Sequence, residues 1–324
     1  MKVTRGLTNR APDWWESARF QAVSYTQPSS VKAILSHPAH QRVTHTVGRY
    51  KEKVMVKVHA IQTGKVKIKK FEATGAINQI SRLWQLLHTN NWTDWLPIYC
   101  WLVEHPEGPF LIDAGEIVRV HEYGYLPDTI IFNGAAKYEV KREDEVDYQL
   151  AKLGYKVEQV KGVYLTHFHN DHVDGLYHFP KAKVYVAKEA YDFTLSSKGA
   201  GLGYLKKNLP EWFQPEAFEF TDGKEDVFMS SKKLTADASI VPVPMPGHSI
   251  GHTAYIVKSE NYRYVFSGDT TFNGQTLYAG IPTVILNNAD AKESVRKLRE
   301  YAQSSDVVVL CSHDPQVTKI LESK

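Results

Sequence analysis

Cysteine is nearly absent: Cys100 and Cys311 are the only two, far apart and outside any C-x-x-C pattern. That argues against a disulfide framework and a thiolate zinc site, and leaves two buried free thiols as the simplest reading. Charge of one sign is also scarce, with 39 basic side chains against 36 acidic ones. The long-range field is too weak to gather nucleic acid or an acidic membrane surface. No apolar run approaches the ~18 residues of a membrane-spanning helix. Near the start, Trp14, Trp15 and Phe20 stand among charges rather than in the continuous apolar core of a signal peptide. Missing too are a Gly-rich phosphate loop and any short internal repeat. The expectation is a soluble, cytoplasmic protein acting on a small molecule, with no nucleic-acid or membrane partner.

What is present is enough apolar material for a large core: 43% of the 324 residues are hydrophobic. Residues 1–52 have weak periodicity and several helix breakers and read as an N-terminal arm or extension. Its His37, His40 and His45 lack a carboxylate or cysteine in ligand register, so they do not read as a metal site. Its aromatic residues, Tyr25 included, need cover, which points to packing across a homodimer or over an active-site rim. Residues 53–324 read as one α/β domain. Residues 54–60 and 65–71 alternate apolar with polar, and Gly64 between them predicts a hairpin turn with Lys65, Lys67 and Lys69 on the solvent face. Further strands are expected at IYCWLVE, PFLIDAG, GVYLTH, KVYVA, SIVPVPM, TAYIVKS, YRYVFSGD and DVVVLCSHD. Helical periodicity covers residues 142–155 and 290–303.

The densest chemistry lies in THFHNDHVDG, residues 166–175. His167 and His169 alternate across an extended or tightly turned backbone, while Asp171 and His172 follow after a turn and can point at a second nearby position. Four ligand-type side chains in six residues are hard to explain as packing. They cannot complete two metal sites alone, because each site takes about four ligands and a catalytic one leaves a position for water. The rest of the chain supplies more: His248 in PGHSIGHT, Asp269 ending VFSGD and His313 in SHD, each after a strand.

The order H-x-H-x-D-H, G-H, G-D, S-H-D resembles the metallo-β-lactamase superfamily over residues 54–318, which implies an αββα sandwich with metals along one sheet edge. Carried over, His167, His169 and His248 would hold one divalent ion, Asp171, His172 and His313 a second, and Asp269 would bridge them. Zinc is the expected metal, with cobalt, manganese and iron as alternatives. Asp269 follows His248 by 21 residues, His313 follows Asp269 by 44, and eleven residues remain after it. This spacing resembles the N-acyl homoserine lactonase branch and leaves no room for the added domain of glyoxalase II-type thioesterases. The bridging aspartate argues against class B β-lactamases, and His169 against flavodiiron relatives.

The resemblance implies a lactone- or ester-opening hydrolase. Two ions about 3.5–4 Å apart would generate a bridging hydroxide and polarise the carbonyl, and Asp171 would pass a proton to the leaving oxygen. The alternative on the same scaffold is a phosphotriester or aryl-ester hydrolase. A nuclease is disfavoured by the missing RNA-gripping module and small basic excess. Asp113 and His252 are supporting candidates behind the ligands. Leu83, Trp84, Leu86, Leu87, Trp92, Trp95 and Leu96 are candidates for an acyl-chain wall. One departure stands out: lactonase relatives often carry tyrosine three residues after the bridging aspartate, where Phe272 stands here at a substrate-contacting position.

Overall fold

The computed structural model describes residues 56–73, 84–86, 88–127, 134–283 and 286–324. The chain divides into two compact units, Met1–Tyr50 and Lys51–Lys324, and every described residue lies in the second. The N-terminal arm, Leu83 and Leu87 fall outside the described residues.

Two sheets form the frame. The larger has the order β4-β1-β2-β3-β5-β6-β7 and the smaller β11-β10-β9-β8. The first contains β1 (Lys57–Ile68), β2 (Leu96–His105), β3 (Gly108–Ile112), β4 (Ala136–Glu139), β5 (Gly162–Tyr164), β6 (Lys183–Ala187) and β7 (Glu216–Phe218). The second contains β8 (Ile240–Pro244), β9 (Thr253–Lys258), β10 (Arg263–Phe266) and β11 (Val307–Leu310). Strands β3, β5, β6 and β7 run parallel, as do β10 and β11, so their carboxyl ends gather on one edge.

Period-two alternation in the second sheet creates the layers. Tyr255, Val257, Tyr264 and Phe266 join the main core with Trp101, Leu111 and Tyr164 of the first sheet. The intervening Ala254, Ile256 and Val265 turn to the opposite face and meet Val295, Leu298 and Tyr301. Those last residues line one stripe of helix α1 (Asn288–Tyr301), whose side chains at 291, 294, 295, 298 and 301 are buried, the spacing of an amphipathic helix. Asn287 caps it by accepting from the Ala289 and Asp290 amides. The expected αββα sandwich is the observed one. Cys100 and Cys311 are both buried and free.

Two local readings are corrected. Gly64 does not turn a hairpin: β1 runs unbroken from Lys57 to Ile68, with a register shift between Gln62 and Lys65 against β2. Its second half also pairs with β4, Lys65 opposite Glu139. The glycine marks a bulge, which produces the same break in alternation as a turn. Nor do all three lysines face solvent. Lys69 is only 4% exposed, because its ammonium sits 4.1 Å from the Trp92 ring centre and donates to the Thr89 carbonyl. Trp92 therefore covers a cation, and the alternation stops one residue before Lys69.

At Gly64 φ is +133°, and an added Cβ would lie 2.7 Å from Val140 Cγ2 and 3.0 Å from the Glu139 carbonyl oxygen. Gly64→Ala is expected to lower stability by about 1–3 kcal/mol, read as a lower denaturant midpoint at unchanged slope. A midpoint equal to wild type would show that the bulge relaxes freely.

Candidate metal centre

The segment after β5 explains the H-x-H spacing. Phe168 turns inward and packs near Tyr191, Tyr204 and Phe213, so His167 and His169 share the other face. His169 then leads into helix α2 (Asn170–Val173), whose first turn swings Asp171 and His172 to the neighbouring point. His248 follows β8, Asp269 follows β10 and His313 follows β11. The sheets are stitched at this edge by the Thr253 amide donating to the Thr166 carbonyl at 2.9 Å and the Tyr255 hydroxyl donating to the Leu165 carbonyl at 3.0 Å.

All seven expected ligand residues come together. His167 Nε2 lies 3.0 Å from His169 Nδ1, which lies 3.1 Å from His248 Nε2. Asp171, His172 and His313 form a second group, and His167, His172 and Asp269 a third that joins the two. Asp269 faces both ways: Oδ1 is 3.4 Å from His172 Nε2 and 3.3 Å from His313 Nε2, while Oδ2 is 3.5 Å from His248 Nε2. Asp171 Oδ2 is 3.6 Å from His313 Nε2.

Hydrogen bonds behind the cluster decide which nitrogen four of the five rings present, those of His167, His169, His172 and His313. Asp113 accepts from the Thr166 amide at 2.7 Å, the Thr166 hydroxyl at 2.9 Å and His172 Nδ1 at 2.8 Å. With the Thr166 proton committed to Asp113, its oxygen accepts from His167 Nδ1 at 3.0 Å. His313 Nδ1 donates to the Pro97 carbonyl at 2.8 Å, and His169 Nε2 to the Leu202 carbonyl at 3.3 Å. Carbonyls and carboxylates only accept, so the opposite nitrogen of each ring faces the cluster as a potential electron-pair donor. His172 Nε2 and Asp269 Oδ1 are buried without a hydrogen-bond partner. A set of convergent donor atoms, two of them unsatisfied, fits divalent cations by its own chemistry.

Electrostatics divide the rings. Burial holds His167 and His248 well below the usual histidine range, and lowers His169 less strongly. Burial also pulls on His172 and His313, but Asp269 outweighs it with help from Asp171, and for His172 from Asp113, so both rise. Burial would lift Asp269, but His313 and His172 hold its carboxyl well below the carboxylate range. His252 is not among the convergent groups: its Nε2 accepts from the Asp269 amide at 3.1 Å, and burial pushes its pKa down to about 3, which keeps that nitrogen an acceptor. Gly268 permits this approach, since a Cβ there would lie 2.7 Å from His252 Nε2. The two supporting candidates thus hold ligands in place, Asp113 through His172 and His252 through Asp269.

A cavity of about 440 Å³ opens onto the cluster. Val66, Ile68, Leu86, Leu126, Leu202 and Phe272 supply apolar lining; His169, Asp171, His248, Asp269 and His313 form its polar floor. Phe272 is buried, its ring centre 6.2 Å from that of His313. Of the expected acyl wall Leu86 lines the cavity, whereas Trp84, Trp92 and Trp95 do not: Trp84 is 59% exposed, and the other two lie under lysines. Sequence reasoning missed Glu116, Asn170 and Tyr138. Tyr138 donates to Asn170 Oδ1 at 3.3 Å, and Asn170 Nδ2 donates to Glu116 Oε2. Only the buried acid after the IDAG turn hinted at them. A further group, Glu145, Asp147 and His178, is paired with Arg142, 3.1 Å from Glu145 and 2.6 Å from Asp147.

An αββα sandwich with a histidine–aspartate centre at the carboxyl ends of its strands is the architecture of a metal-dependent hydrolase. Residues 93–313 match the family model of the metallo-beta-lactamase superfamily, and the chain belongs to that superfamily. The N-acyl homoserine lactonase AttM of Agrobacterium fabrum is 26% identical over 230 residues, covering 68% of this chain and 82% of its own. An N-acyl homoserine lactonase of Bacillus cereus is 24% identical over 230 residues, covering 69% and 84%. The fold is shared with an N-acyl homoserine lactone hydrolase solved with the product N-hexanoyl-L-homoserine at its catalytic metal centre; the TM-score is 0.63 at 19% identity, over 82% of this chain and 96% of that one. The hydrolase AbOPH aligns with TM-score 0.54 at 20% identity, over 80% and 87%. Among the described residues no helix is long and apolar enough to cross a membrane.

Asp113→Asn should leave the far-UV circular dichroism unchanged yet weaken metal affinity about 10–100-fold in a chelator competition titration; unchanged affinity would remove Asp113 from the support of the site. Because His172 and His313 must shed protons to offer Nε2, metal uptake should release protons and weaken as pH falls from about 8 to 6. Calorimetry in buffers of different ionisation enthalpy reads that release, and zero release would contradict the raised pKa values.

Proposed function

We propose that the chain opens lactones of the N-acyl homoserine type, using two divalent metal ions. The observation that carries this reading is a two-sided cluster of seven ligand residues flooring an apolar cavity of about 440 Å³, a size and lining suited to a small amphipathic ester. Its similarity to proteins described as N-acyl homoserine lactonases supports the same substrate class.

His167, His169 and His248 would hold one ion, Asp171, His172 and His313 the other, and Asp269, whose two oxygens face both groups, would bridge them. When bound, such ions would activate a water as the nucleophile near neutral pH and would offset the negative charge that develops on the carbonyl oxygen. The nitrogen and oxygen ligand set suits zinc, though supply also decides. The protein contributes orientation: Asp113, Pro97 and Leu202 fix the rings, and the apolar walls seat the acyl chain and thin the water. Asp171 lines the cavity, with Oδ2 3.6 Å from His313 Nε2, where it can take the proton released by the attacking water and pass it to the leaving alkoxide. Phe272 packs against the substrate beside His313.

A second reading, a phosphotriester or aryl-ester hydrolase, draws on Phe272, which brings an apolar ring where a hydroxyl would assist a lactone carbonyl. The two readings part on Phe272→Tyr. A lactonase should keep or raise its lactone turnover. An enzyme adapted to a more apolar ester should lose activity, because the added hydroxyl is desolvated without a partner.

The metal-loaded protein should contain two ions per chain by elemental analysis and open N-hexanoyl homoserine lactone; Asp269→Ala should lose ions and activity together. Asp171→Asn should retain the fold while cutting kcat by about 10²-fold or more. One ion per chain at saturation would end the dinuclear assignment. Failure to open any acyl homoserine lactone, with hydrolysis of paraoxon or an aryl ester, would favour the second reading.

A further inference from the structure

The cavity floor is rich in acceptors and electron-pair donors but poor in groups that can donate a hydrogen bond to a substrate. Beyond the ligand set, four polar side chains line it: Glu72, Tyr138, Asn170 and Thr283. An ionised Glu72 only accepts. Asn170 commits one amide hydrogen to Glu116 and its oxygen to Tyr138, which fixes the amide in place and leaves Tyr138 as the hydroxyl free to turn. The Thr283 hydroxyl is sealed within the fold. Tyr138 remains.

Its placement follows from β4. Tyr138 pairs with Val66, and these two residues, with Ala136 and Ile68, turn to the cavity, while Lys65 and Glu139 pair on the solvent side. The phenol therefore stands in an otherwise apolar wall. Its hydroxyl is held beside Asn170, the residue between His169 and Asp171. The Asn170 amide is itself fixed by Glu116, whose other oxygen accepts from the Ile117 amide at 2.9 Å. At 3.3 Å the bond from Tyr138 to the Asn170 carbonyl is long. A carbonyl oxygen gathering negative charge is the stronger acceptor, and rotation about one C–O bond redirects the proton. Burial, with the carboxylates of Asp171 and Glu116, keeps the phenol protonated.

Resting on the ester-opening reading, we propose that Tyr138 is a catalytic residue: its hydroxyl turns from Asn170 to donate a hydrogen bond to the substrate carbonyl oxygen as charge develops there. No bond to Tyr138 is made or broken, and its proton stays on the phenol. Asn170 and Glu116 are positioning residues that park the hydroxyl between turnovers. The apolar Phe272 thus belongs to a site whose phenol comes from β4.

Four proteins test this: wild type, Tyr138→Phe, Phe272→Tyr and the double variant, each with metal content and circular dichroism matched first. Tyr138→Phe should lower kcat on N-hexanoyl homoserine lactone at least tenfold, with KM changed less than threefold, since the bond strengthens only with developing charge. Binding of the ring-opened product N-hexanoyl-homoserine, measured by calorimetry, should weaken, because its carboxylate also accepts the hydroxyl. The double variant should recover at least threefold of the lost kcat, a rescue that a merely structural tyrosine would not show. Wild-type kcat in Tyr138→Phe, or a loss accompanied by loss of metal and no rescue, overturns the assignment while leaving the lactonase reading intact. If the wild type opens no lactone, that reading falls. The same comparison on the ester it does hydrolyse then decides Tyr138, and no turnover of any ester rejects both.

Discussion

The carboxylate of Asp113 is the point on which the centre depends. It ends β3 at φ +58°, a left-handed conformation that aspartate tolerates better than most residues, and its three hydrogen bonds lock the Thr166 backbone, the Thr166 hydroxyl and the His172 ring. Through Thr166 it also sets the His167 tautomer. One buried acid thus determines which nitrogen two of the ligands present. Two residues on, Gly115 lies so close to Thr63 that a Cβ would be 2.2 Å from its hydroxyl oxygen. The turn is tied to β1, and so to the strand that faces the cavity.

The same economy runs through the other ligands. His313 is oriented by a carbonyl just inside β2, His169 by a carbonyl in the loop over the cavity, and Asp269 by His252 through its own amide. These partners come from separate parts of the chain, so the centre records the closure of the sandwich. Leu202 holds His169 through its backbone carbonyl and also lines the cavity, which links the apolar lining to that ring.

Burial gives this arrangement its chemical character. Seven such residues at one edge, six of them buried, would be costly as isolated polar groups. The sandwich offsets that cost with two separate apolar layers, one between the sheets and one under α1. Burial outweighs the other influences at His167 and His248 and lowers both, although Asp269 Oδ2 lies 3.5 Å from His248 Nε2, while at His172 and His313 the charge of Asp269 is joined by that of Asp171 and raises both. That asymmetry follows from the added carboxylates on one side of the cluster.

The sequence by itself determined the class of fold and the seven residues that gather at the sheet edge. The gaps between His248, Asp269 and His313 were legible through the resemblance to a known family; the H-x-H alternation follows from backbone geometry, and the positions of those three after apolar strands are local patterns. It determined the amphipathic α1 and the two buried thiols for the same reason. Tertiary structure alone decided the rest. Whether Gly64 turned or bulged depended on β4, a strand with no strong pattern of its own, and the fate of Lys69 depended on a tryptophan 23 residues later. The ring tautomers, and the meeting of Tyr138 with Asn170 and Glu116, rest on contacts between segments distant in sequence. Periodicity reads which way a side chain points along its own element, but only the packed chain supplies the atom it meets.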